Sequence, residues 1–300
     1  CSFTQPVTDR MRHPAIIIDP DSTCIIIDCT IDSMVNFKPR SKGMLLRCHI
    51  STNGRFLKGE GNGINIQESA KPLIKNCKID NCVEAGVRFD PKSNGVVDNC
   101  VITDNTTFGV LALSSDQFLI TNSQIEKNKE SGLRTVSGSK GDVINTEFKA
   151  NIKNAVLIEN GCEIKMKNCN VVDHVDTPTY AIYVKESQER VKKVTKFSLI
   201  ESTVSANLSG VMVAGNCEAL ISKTDIIYNN QYGLIVEKDS KVDINECDIS
   251  QNGIFQLVSP KPPTNYNPAV RAAPAPNSVP STAAITARNT KFGPYGLHCI

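Results

Sequence analysis

The sequence predicts an all-β fold, one solenoid of stacked parallel strands with about ten coils. Three observations predict it. Glycines recur at a fixed step: Gly63, Gly86, Gly109 and Gly132 stand 23 residues apart, Ala155 takes the next slot, and Gly210 and Gly233 resume the phase. Short alternating apolar segments follow each glycine and leave no room for a helix before the next copy. Polar residues also recur in fixed columns between those segments.

The first strand of each coil follows the glycine. Its first inward column reads Ile64, Val87, Val110, Leu133, Val156, Ile182, Val211 and Leu234. Two residues on, the column reads Ile66, Phe89, Ala112, Thr135, Ile158, Val184, Val213 and Val236. This period of two marks a strand with one buried face. A second strand is marked by Ile74, Val97, Ile120, Val143, Met166, Ile221 and Ile244. A third is marked by Ile79, Ile102, Ile125, Phe148, Val171, Val204, Ile226 and Ile249. Strands repeating at this step stack on their own copies about 4.8 Å apart, so ten coils span about 50 Å.

The turns carry their own columns. Before each return to glycine stand Asn53, Cys82, Asn105, Asn128, Asn151, His174, Asn207, Asn229 and Asn252. Asparagine repeating in one column is a ladder, each amide serving a group of the next coil. His174 in that column reads as a turn residue rather than a metal ligand. Another column holds small groups for an inner corner: Cys29, Cys48, Cys77, Cys100, Ser123, Thr146, Cys169, Ser202, Thr224 and Cys247. Five of these follow Asn76, Asn99, Asn122, Asn145 and Asn168.

An asparagine a few residues before glycine, apolar, any, apolar resembles the short repeat of right-handed parallel β-helix proteins. The resemblance covers nearly the whole chain. It implies a single-stranded right-handed parallel β-helix of the pectin-lyase-like fold. That superfamily includes pectin-degrading lyases and hydrolases, periplasmic copper-maturation proteins, and intracellular F-box and spindle-associated proteins. Such a fold does not carry one chemistry.

Residues 1–300 read as one domain, expected to be a piece of a longer chain. Net charge is +2, which gives no case for nucleic acid. No apolar run is long enough to insert in a membrane. Tryptophan is absent and aromatics are 5% of the chain, which disfavours a carbohydrate ligand. The twelve cysteines contain no C-x-x-C pair and mostly fill the corner column. Stacked corner thiols are poorly placed for disulfides, so free thiols and an intracellular, cytoplasmic or cytoskeletal location are expected. The sequons at Asn105 and Asn207 fall in the ladder, where a glycan has no space. No cofactor or metal is expected.

Insertions interrupt the coils after Asn53, at Thr177 and from Lys185. A proline- and alanine-rich loop is expected over residues 257–283.

An active site of the pectin-degrading kind needs clustered outward carboxylates and a basic residue. One outward column of the first strand reads Asn65, Arg88, Leu111, Arg134, Leu157, Tyr183, Met212 and Ile235. Its neighbour reads Gln67, Asp90, Leu113, Val136, Glu159, Lys185, Ala214 and Glu237. The acids Asp90, Glu159 and Glu237 never fall on adjacent coils, and no catalytic residue is assigned. Instead Leu111, Leu113, Val136, Leu157, Tyr183, Met212 and Ile235, edged by Arg88, Arg134 and Lys185, form an outward apolar stripe suited to contact. The expectation is a non-catalytic scaffold or recognition module with protein partners. The resemblance adds that a ubiquitin-ligase adaptor or cytoskeletal role fits. The alternative is a polysaccharide lyase or glycoside hydrolase.

Overall fold

The computed structural model describes residues 2–3, 14–53, 61–175, 180–186, 193–259, 283–293 and 297–299. Every regular element among them is a strand, and all pairings are parallel. Three sheets of twelve, twelve and eleven strands wrap one core, so the about ten predicted coils are present. Sheet I contains Lys78–Asp80, Val101–Thr103 and Gln124–Glu126; sheet II contains Val87–Phe89, Val110–Leu113 and Leu133–Val136; sheet III contains Asn94–Asp98, Gln117–Thr121 and Lys140–Ile144. The chain visits I, II and III in turn on every coil.

Register follows the sequence columns. Val87 pairs with Val110 and Val110 with Leu133 in sheet II; Val97 pairs with Ile120 in sheet III; Ile79 pairs with Ile102 in sheet I. These inward residues are fully buried. Each coil therefore buries its apolar face only between the coil below and the coil above. Glycine is required where the chain enters sheet II because the coils approach closely. A Cβ on Gly109 would sit 2.5 Å from Ile125 Cγ2 and 2.6 Å from the Gly132 carbonyl oxygen.

The buried ladder runs as the sequence predicts over most of its length. Asn105 Nδ2 donates to Asn128 Oδ1 at 2.8 Å, Asn128 Nδ2 to Asn151 Oδ1 at 2.9 Å, Asn207 Nδ2 to Asn229 Oδ1 at 3.0 Å, and Asn229 Nδ2 to Asn252 Oδ1 at 2.9 Å. The same oxygens accept the backbone N–H of the preceding ladder residue, as in Asn105 N to Asn128 Oδ1 at 3.2 Å. Gln256 closes the run by accepting from Asn252 at 2.8 Å. A buried turn is thereby satisfied without water.

Asn53 departs from this expectation. It is exposed and left-handed with φ 46°, and it accepts a hydrogen bond from Ser51 Oγ. In later coils the left-handed residue stands one position earlier, at Asn81 and Asp104. The first turn is thus one residue out of phase, and buried Thr52 meets the next coil instead. Its hydroxyl donates to the Asn81 carbonyl at 3.4 Å and accepts the Val83 N–H at 3.1 Å.

A second, exposed ladder lies at the opposite turn. Asn76, Asn99, Asn122, Asn145 and Asn168 all adopt φ between 50° and 53°, a region asparagine tolerates. Asn99 donates to Asn76 at 2.8 Å, Asn145 to Asn122 at 3.1 Å and Asn168 to Asn145 at 2.8 Å. The corner thiols follow directly. The Cys48 N–H donates to Cys77 Sγ and the Cys77 N–H to Cys100 Sγ, each at 3.4 Å. Every cysteine from Cys24 to Cys247 is free.

The strand Phe255–Ser259 pairs with Leu297–Cys299, so residues 257–259 belong to the solenoid and not to the loop predicted over 257–283. Ala283 and the strand Ala284–Arg288 also belong to described structure, and residues 260–282 lie outside it.

Candidate recognition face

The outer face of sheet II brings the predicted stripe together. Arg88 pairs in register with Leu111, Leu111 with Arg134, Arg134 with Leu157, Leu157 with Tyr183, Tyr183 with Met212, and Met212 with Ile235. Leu113 pairs with Val136 in the neighbouring column. The alternation of the strands fixes this outcome, because the inward partners of each residue are the core columns.

Exposure along the stripe is uneven. Arg88, Leu111, Leu113, Arg134, Val136, Leu157, Tyr183, Lys185 and Ile235 are all half-buried. Met212 is only 6% exposed, as is Ala214 beside it. Met212 therefore points outward from its sheet yet is covered, and it drops out of the accessible stripe. Beside them Glu186 packs over Gly215, where a Cβ would meet its carboxylate carbon at 2.7 Å.

Two acids on this face, Asp90 and Glu159, are held in ion pairs. Arg88 Nε lies 2.7 Å from Asp90 Oδ1. Glu159, 6% exposed, has one oxygen 2.8 Å from Arg134 Nε and the other 2.8 Å from Lys185 Nζ. Both cations also lie near aromatic rings, Arg134 at 5.3 Å from Phe108 and Lys185 at 5.7 Å from Tyr183. Burial, with Glu237 nearby, raises the Tyr180 and Tyr183 phenols above the usual tyrosine range. Tyr180 and Tyr183 tilt against each other at 5.6 Å between centroids. A carboxylate with both oxygens engaged by cations is a positioning group that sets the Arg134 and Lys185 side chains.

Sequence reasoning missed two features. A shallow groove on sheet III is lined by Lys196, Ser198, Glu218, Leu220, Lys241 and Asp243. On sheet I, His49 Nε2 lies 2.9 Å from Asp80 Oδ1, whose carboxyl is held below the usual range because Lys78 and His49 outweigh its burial. Both lie in repeated columns, but no one residue type recurs there, so periodicity gives no signal for them. Among the described residues, no group of three or more His, Cys, Asp or Glu is placed to hold a metal.

The family model "Right handed beta helix region" matches residues 14–192 and 180–273. No curated protein matches the sequence. Among solved structures, the periplasmic alginate epimerase AlgG aligns with a TM-score of 0.69 at 11% identity, over 90% of this chain and 68% of that one. The Azotobacter vinelandii mannuronan C-5 epimerase AlgE6 A-module aligns with a TM-score of 0.57 at 10% identity, over 92% and 89%. The catalytic domain of a GH87 alpha-1,3-glucanase aligns with a TM-score of 0.56 at 13% identity, over 92% and 56%. These similarities show the fold, and with the family model covering most of the coils the chain belongs to the right-handed β-helix family.

Proposed function

We propose that the chain is a non-catalytic recognition module whose partner is a protein lying along the outer face of sheet II, within a larger intracellular assembly. The observation that carries this reading is the in-register series Leu111, Arg134, Leu157 and Tyr183, half-exposed over successive coils, with its central acid Glu159 already neutralised by Arg134 and Lys185. Apolar side chains between fixed cations suit a protein contact. The free stacked thiols support a reducing compartment.

A second reading is favoured by the cations themselves. Arg88, Arg134 and Lys185 recur along the same face, with Tyr183 between the last two, and this arrangement would also follow an acidic polysaccharide. The solved alginate epimerases share the fold.

One experiment separates the two. Affinity capture from cell extract is run with the parent chain and with a Leu111→Asp, Leu157→Asp double variant of unchanged melting behaviour. The same chains are incubated with alginate and polygalacturonate, and the products are sized. A protein bound by the parent and lost from the variant supports the module. Retention or cleavage of either polymer without such a protein replaces it with the carbohydrate reading.

A further inference from the structure

Sheet III carries a separate apolar ribbon on its outer face. Ile25 pairs in register with Met44, Met44 with Leu73, Leu73 with Val96, and Val96 with Leu119. Ile27 and Leu46 widen the ribbon at one end. Ile25 is 61% and Ile27 42% exposed, and the others are half-buried. The ribbon has a defined end, because Leu119 pairs with Asp142 and Asp142 with Lys165.

Its charge is one-sided. Lys75 and Asp98 on one edge neutralise each other at 2.7 Å. Lys42 and Lys71 lie on the other edge, adjacent in register, and neither has a carboxylate partner among the described residues. The nearby Arg40 and Arg47 are already held by Asp21 and Asp28, at 2.7 and 2.6 Å. The face is therefore an apolar strip with one uncompensated basic edge.

The coil spacing selects the shape of the occupant. Four steps of about 4.8 Å make the ribbon about 19 Å long. An extended chain places same-face side chains about 6.7 Å apart, so four steps need about 27 Å and register is lost. A helix presents apolar residues at alternating three- and four-residue steps, about 5.3 Å on average, so four steps need about 21 Å. Only the helix keeps an anchor near each coil.

We infer that this ribbon docks an amphipathic helix of a protein partner, with Glu or Asp along the flank that faces Lys42 and Lys71. Apolar burial supplies the affinity, and the two lysines fix the helix orientation.

The test uses the whole chain and two fluorescein-labelled synthetic helices of about four turns. Both carry the same leucine face; one has glutamate and the other lysine on the chosen flank. Fluorescence anisotropy at low salt is expected to show the acidic helix binding at least about tenfold tighter. Leu73→Glu is expected to weaken it by a similar factor, and the exposed pair Lys42→Glu, Lys71→Glu to reverse the preference. Leu157→Asp on sheet II should leave it unchanged, which separates this site from the proposed protein face. Equal affinity for both helices, no binding of either, or indifference to Leu73→Glu would overturn the inference. So would adsorption to phosphatidylserine vesicles, sensitive to the same variants, in the absence of helix binding.

Discussion

His174 stands in the asparagine ladder with its Nδ1–H donated to Asn207 Oδ1 at 2.9 Å. Its Nε2 accepts from Asn151 Nδ2 at 3.2 Å. The ring thus has one donor and one acceptor engaged, which only the neutral Nδ1–H tautomer satisfies. Burial moves its pKa down to about 4, against weaker opposing effects of Asn207 and Asp173. The unfolded chain protonates this ring near its ordinary 6.5 and the folded chain does not. Stability is therefore full above about pH 6.5 and falls as pH drops towards 4, by about 1.4 kcal/mol per unit and about 3 kcal/mol in all. Urea unfolding at pH 7.5 and 4.5 is expected to show this loss in the parent and a much smaller one in His174→Asn.

Asn128 inside the ladder and Asn53 outside it predict opposite mutational outcomes. Asn128→Ala removes the acceptor for both the Asn105 amide and the Asn105 N–H, and the donor to the Ile102 carbonyl at 3.3 Å. Leaving these buried groups unpaired is expected to cost about 3 kcal/mol. Asn53→Gly, at an exposed left-handed position, is expected to stay within about 0.5 kcal/mol of the parent. Paired denaturation curves decide this, and a large loss at Asn53 would place it back in the ladder.

Most of the fold was legible because a solenoid writes each contact twice, once in each coil. The glycine step, the inward columns and the ladder, His174 included, could be read by aligning the chain with itself. Asn53 was not, because the step from Ile50 to its partner Ile79 is 29 residues and the turn inside it slips by one. Met212 was assigned correctly to the outward column, but an outward position in the pattern does not fix exposure, and Met212 is buried. The sheet III ribbon was hidden for a different reason. Leu73, Val96 and Leu119 each precede an inward residue, Ile74, Val97 and Ile120, so the outward column merges with the buried one in the sequence.

Cys82 in the ladder turn and Cys169 at the inner corner are expected to be chemically silent in the folded chain. Burial pushes Cys82 up to about 12 and Cys169 up to about 11. At pH 8 each is thiolate only about once in a thousand molecules or less, before accessibility is counted. Iodoacetamide followed by peptide mass mapping should leave Cys82 and Cys169 unmodified in buffer and label both in guanidinium. Labelling in buffer at rates close to those in denaturant would show that these two turns open readily.

Glu159 ties three coils of the outer face of sheet II together, since it directly follows the strand Val156–Ile158 and pairs with Arg134 and Lys185 on the strands to either side. Glu159→Gln keeps the shape and removes the charge. The two cations are only partly buried, so water can rescue them, and the expected loss is about 1–2 kcal/mol rather than the larger cost of a fully buried broken pair. Added salt should weaken the parent's pairs and leave the variant less affected, so the gap narrows between low and high ionic strength. The same variant frees Arg134 and Lys185 from their anchor. If the face binds a protein through its apolar groups, affinity should fall only a few-fold, through looser positioning. If it binds an acidic polysaccharide through those cations, affinity should instead rise, because the internal competitor for them is gone. Binding measured alongside unfolding on this one variant therefore separates the two readings of the face.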